Sequence, residues 1–189
     1  MDTQAAPGLD WTSVLLSQLE WHWDNQLRQR LDGLTDDEYL WKPVDDVWTV
    51  APRGASDAPM TAGSGEYLID FGYPEPVPAP VTTIAWRLGH LVVGVFGERN
   101  ARYFGGPEMT YDSYDYPATA DGALAALDEG YRTWRDGVAS LDIDALAANC
   151  REPGFESDSM AALVVHIHRE VIHHGAEIAL LRDLYLRLG

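Results

Sequence analysis

A single cysteine, Cys150, stands in 189 residues, which leaves no internal disulfide and excludes a zinc site built from several thiolates. Basic residues are also scarce: thirteen Lys and Arg face thirty Asp and Glu, a formal charge of −17 at pH 7. A surface of that sign repels nucleic-acid phosphates and anionic bilayers, so neither nucleic acid nor membrane is expected as a partner. No apolar run approaches the roughly eighteen residues of a membrane span. The opening residues, Met1 to Pro7, lack the basic segment and apolar run of a secretory signal. A cytoplasmic protein is the expectation. With 46% hydrophobic residues the chain is long enough for one well-buried core and short for two, so a single domain over 1–189 is expected.

What is abundant is histidine near the end of the chain. Four of the six histidines fall in His166-Ile-His168-Arg-Glu170-Val-Ile-His173-His174-Gly-Ala-Glu177, among apolar residues at helical spacing. At about 100° per residue from His166, Glu170 lies near 40°, His173 near −20°, His174 near 80° and Glu177 near 20°. One helix face therefore carries both imidazole and carboxylate. His168, at about 200°, points away, toward solvent or a neighbouring helix. Hiding such a face in a bundle needs compensation, from a metal ion or from a closed hydrogen-bond network. Glu170 and His174, one turn apart, can grip one ion, and a third ligand must come from another helix.

Along the chain, Trp11, Val14, Leu15, Leu19, Trp23, Leu27 and Leu31 have helical spacing, with Gly33 as a stop. Within this helix His22, between Trp21 and Trp23, reads either as a packed core histidine or as a proton-handling residue near a metal. Asp36 to Glu38 opens a short helical turn that Pro43 interrupts. From about 44 to 80, Pro and Gly recur too often for regular structure, and a long loop is expected. Its aromatics, among them Trp48, Tyr67 and Phe71, suit either a lid over a pocket or anchoring to the bundle.

A second helix is expected from a Thr82 or Thr83 cap to Phe104, with Gly105-Gly106-Pro107 ending it. His90, at its middle, supplies the missing third ligand. A third helix runs from Thr119 or Asp121 to about Leu141, then irregular or short helical chain to Phe155. The last helix is capped by Ser157 or Asp158 and reaches Leu188. Four long helices without a convincing strand pattern predict an all-α four-helix bundle, with a long Pro/Gly-rich loop between the first two.

The order of these segments resembles a known family. Leu34-Thr-Asp-Asp-Glu-Tyr-Leu-Trp-Lys-Pro43, then Thr83-Ile-Ala-Trp-Arg-Leu-Gly-His90, then Glu170-Val-Ile-His-His174-Gly-Ala-Glu177-Ile178 are similar to the DinB-like superfamily of metalloenzymes. The resemblance implies a divalent metal, zinc or nickel, held near one end of the bundle by a histidine of the second helix and two residues one turn apart on the last. His90 matches the first ligand and His174 the last. Glu170 stands where many members have histidine, a departure that bears on the metal's identity. The same His, Glu, His set resembles the mycothiol-dependent maleylpyruvate isomerase branch, where it binds zinc. The wheel places His173 nearer the centre of the polar face, whereas the family register and the Glu170 spacing favour His174.

The resemblance further implies a thiol such as mycothiol or bacillithiol as partner to an electrophile, in S-transfer or thiol-dependent isomerisation, and a homodimer. His173, Glu177 and His22 are then the candidates to accept the thiol proton. Arg87, Arg169 and Arg182 are candidates for holding an acidic thiol cofactor, or else ordinary ion-pair arginines. Rival readings are a metal-stabilised binding or stress-response protein, a metal-dependent hydrolase, and a metal-free histidine network.

Overall fold

The structure is a computed structural model that describes residues 8–188; the reading of Met1 to Pro7 as free of a signal falls outside the described residues. Helix α1 (Trp11–His22) starts where the Asp10 carboxylate accepts the Ser13 N–H at 3.1 Å. It runs on through a π-helical turn, Trp23–Leu27, and a 3₁₀ turn, Arg28–Leu31, before Gly33 at φ +70° reverses the chain. Thr35 caps the short α2 (Asp36–Tyr39).

The second long helix is built of three pieces. Thr83 caps α3 (Ile84–His90), a π-helical stretch spans Leu91–Gly97, and α4 (Glu98–Tyr103) completes it. The α5 helix (Ala120–Ala139) is capped by Thr119, and α6 (Ile143–Ala147) by Asp142. Last comes α7 (Met160–Leu188). Its cap is Ser159, whose hydroxyl accepts the Ala162 N–H at 3.2 Å, rather than Ser157 or Asp158. The core lies between these helices, with Leu19, Leu88, Phe96, Leu127, Trp134 and Ile178 fully enclosed. Trp23 stacks on Tyr131 of α5 with ring centroids 3.7 Å apart, which ties the π-helical end of the first helix to the third. Among the described residues no helix is long and apolar enough to cross a membrane.

The expectation of a plain all-α four-helix bundle is corrected by two small sheets. Strands β1 (Val47–Trp48), β2 (Val50–Pro52), β3 (Met60–Ala62) and β4 (Tyr67–Phe71) lie within the stretch expected to be loop, and β5 (Val81–Thr82) follows it. One sheet pairs β1 with β5 in parallel, and the other is antiparallel in the order β2-β4-β3. The strands run two to five residues, too short for an alternation to stand out, and Pro52 sits at a strand end, where its missing N–H is harmless.

These sheets set the position of α3. The Thr49 N–H donates to the Asp70 carboxylate at 2.8 Å, and the Thr49 and Thr83 hydroxyls meet at 2.9 Å. The Trp86 indole N–H donates to the Asp70 carbonyl at 2.9 Å. Ile69, fully buried in β4, packs so closely on Gly89 that a Cβ there would stand 3.2 Å from its Cδ1. The sheet thus lies directly against the residue preceding His90. Trp48, Phe71 and Trp86 form an aromatic cluster with centroids 6.3 to 6.5 Å apart, so the long segment is anchored on the second helix.

Candidate metal centre

His90 ends α3 and faces α7. One ligand atom each of His90, Glu170 and His174 lies within 4.8 Å of the others. The His174 Nε2 to Glu170 Oε2 distance is 3.5 Å. Ligand atoms about 2.1 Å from a tetrahedral zinc stand about 3.4 Å apart, so the pair fits an ion without rearrangement. The two imidazoles meet edge to face with centroids 4.7 Å apart.

The other ring nitrogens are taken up by partners that orient the ligands. His90 Nδ1 is 2.6 Å from the Tyr111 hydroxyl, which leaves Nε2 free to coordinate, and the Trp86 indole stacks on the ring at 5.5 Å. His174 Nδ1–H donates to Glu177 Oε2 at 2.7 Å, fixing the tautomer that presents Nε2 toward Glu170. Glu177 is itself held by Arg87, whose Nη2 is 3.1 Å from Oε1, while Arg87 Nη1 lies 3.3 Å from His174 Nδ1. Burial, with lesser contributions from His174 and Arg87, pushes the His90 pKa down to about 3. Burial also lowers that of His174, against the opposing hydrogen bond that its Nδ1–H donates to Glu177. Both rings are therefore neutral at physiological pH, the form in which imidazole binds a cation.

The remaining expected residues separate. His173 is exposed, forms a second group with His174 and Glu177, and places its Nε2 3.5 Å from Glu177 Oε1. It is His174 that the structure gathers with His90 and Glu170. His22 is buried but lies in neither group: its Nδ1 meets Gln26 Oε1 at 3.0 Å, and its Nε2 would be 3.3 Å from a Cβ at Gly175. It thus packs on α7 one residue beyond His174, about 100° round the helix. His168 is buried against Trp134 of α5, and burial lowers its pKa to about 4. Arg182 pairs with Glu38, far from this face.

Sequence reasoning missed Tyr111 and the Arg87–Glu177 clamp. Tyr111 belongs to an irregular segment without periodicity, but Gly94 carries a trace of it. A Cβ at Gly94 would collide with the Tyr111 hydroxyl and stand 3.1 Å from His90 Nδ1. Loss of either outer partner, in Glu177→Gln or Tyr111→Phe, is expected to weaken zinc binding by roughly 10–100-fold with the fold intact. Competition against a chromogenic chelator measures this, and an unchanged affinity would remove that partner from its orienting role.

A family model for the DinB superfamily matches residues 59–178, a span that contains His90, Glu170, His173, His174 and Glu177 but not His22. Comparisons with curated proteins and with solved structures returned no match. The matched span covers well over half of the chain and holds all three residues of the candidate centre, so the chain belongs to the DinB superfamily, a metal-associated family.

Proposed function

We propose that the protein is a divalent-metal-dependent enzyme that transfers a low-molecular-weight thiol, of the mycothiol or bacillithiol type, to an electrophile or uses that thiol in an isomerisation. The observation that carries this reading is a set of three protein ligands, His90, Glu170 and His174, contributed by two helices. Three ligands leave a coordination position for a substrate atom, whereas closed structural sites use four. When bound there, zinc or nickel supplies a Lewis acid that lowers the pKa of a coordinated thiol.

The chain's own residues do the rest. Tyr111 and Glu177 hold the two imidazoles in coordinating orientation, and Arg87 keeps Glu177 in place. His173 is the exposed base beside Glu177 and takes the thiol proton at Nε2. His22, enclosed beside Gly175, is assigned no part in proton transfer.

The test is zinc-loaded protein with glutathione, and separately mycothiol, against 1-chloro-2,4-dinitrobenzene. In this reaction a C–S bond forms, the C–Cl bond breaks and chloride leaves. Turnover that needs both thiol and metal, and that falls at least tenfold in His173→Ala, is the expected result. Hydrolysis of ester or amide substrates without thiol would replace this reading by a hydrolase. Because the ligands join α3 to α7, a metal-dependent melting temperature with no turnover and no thiol binding would leave the ion as a staple.

A further inference from the structure

Behind the turns that carry the candidate ligands lies a cavity of about 370 Å³, whose wall includes Arg99, Cys150, Phe155, Leu163, His166 and Arg169. His166 stands one turn before Glu170, its Nδ1 3.8 Å from Glu170 Oε1. On the other side, Arg99 donates to the carbonyl of Gly94, one turn past His90. The cavity thus borders the ligand-bearing turn of each helix.

The charges on its wall are unequally engaged. Arg99 is largely buried and donates to Glu152 at 2.7 Å, and the Tyr103 hydroxyl donates to the other Glu152 oxygen at 2.8 Å. That acid is fully compensated. Arg169 is different: its side chain is 67% exposed, and its Nε lies 3.7 Å from Glu170 Oε1, beyond hydrogen-bonding distance. Its Nη2 meets His166 Nδ1 at 2.5 Å. Phe155, which is 62% exposed, and the apolar Leu163 line the same cavity, with the buried Cys150.

The geometry points to a binding site for a small organic monoanion, a carboxylate on an apolar body. The carboxylate pairs with the planar donor fork of Arg169, and the body covers Phe155 and Leu163. Asp158 shares the wall, so a second negative charge on the ligand is disfavoured.

The test is calorimetric titration of the zinc-loaded full chain with 3-phenylpropionate and with its uncharged amide. Saturable binding of the acid is expected, at least tenfold tighter than the amide. Arg169→Gln should weaken the acid at least tenfold and Arg169→Lys should recover part of the loss. Ala162→Phe, which fills the cavity from its exposed rim, should abolish binding. Equal affinity for acid and amide, or an unaffected Arg169→Gln protein, overturns the site. If the parent chain takes up no zinc yet shows this pattern, the metal reading fails and the cavity site stands. If zinc is held and the acid does not bind, the reverse holds.

Discussion

His90→Ala and His174→Ala are each expected to purify without metal under conditions in which the parent chain retains close to one equivalent. Each replacement deletes one of three protein ligands. Losing an outer partner alone costs roughly 10–100-fold in affinity, so the loss of a coordinating nitrogen should exceed that. Glu170 cannot make up the deficit, because its second oxygen faces His166 and Arg169 rather than α3. His168→Ala is the matched control. It removes an imidazole from the same helix, but one buried against Trp134 and outside the group, and it should leave metal content unchanged. Elemental analysis of untagged protein, purified without chelator, decides. A metal-free parent even after reconstitution would sink the metal reading, and a metal-free His168→Ala protein would show that the ligand register is wrong.

Arg182→Ala, eight residues beyond His174 on the last helix, is expected to lower the melting temperature by roughly 10 °C. Arg182 Nε and Nη2 meet the two Glu38 oxygens at 2.7 and 3.0 Å, and both side chains are largely buried. Nη1 donates to the carbonyls of Arg30 and Asp32, closing the turn after the first helix. Deleting the guanidinium strands the Glu38 carboxylate in a nearly dry site, which costs about 3–5 kcal/mol. In a domain of this size each kcal/mol shifts melting by about 2–4 °C. The double replacement Glu38→Leu with Arg182→Leu removes both charges and should cost less than the single change. A single variant that melts with the parent would show that the pair contributes orientation and no stability.

The helical frame was legible because its signals are local. Thr83 and Thr119 cap the helices expected of them, Gly33 and Gly105 end theirs at positive φ, and the spacing of Glu170 and His174 places both on one face of α7. What was not legible depends on contacts between distant segments. Strand β4, Tyr67–Phe71, is stable only because β2 and β3 flank it and Gly89 accepts Ile69, none of which shows in a five-residue window. The π-helical stretch Leu91–Gly97 leaves an apolar run looking like ordinary helix, although it changes the register after His90. Arg87 could not be told from an ion-pair arginine by sequence, and it is one; its partner Glu177 is what connects it to His174. His22 stood open between two readings in the sequence, and the structure encloses it against Gln26 and Gly175.

The length of α7 has a mechanical consequence. Glu170, His174 and Glu177 share this helix with Arg182, which bolts it to the turn after the first helix. Eight residues of α-helix separate His174 from that bolt, about 12 Å. A tilt of about 5° about the bolt would swing His174 by roughly 1 Å, a displacement that can cost about 100-fold in a reaction requiring alignment. The helix is therefore a lever arm whose fulcrum lies outside the site. Changes at Glu38 or in the turn at 30–32 would alter the grip on an ion without touching any atom that would hold it.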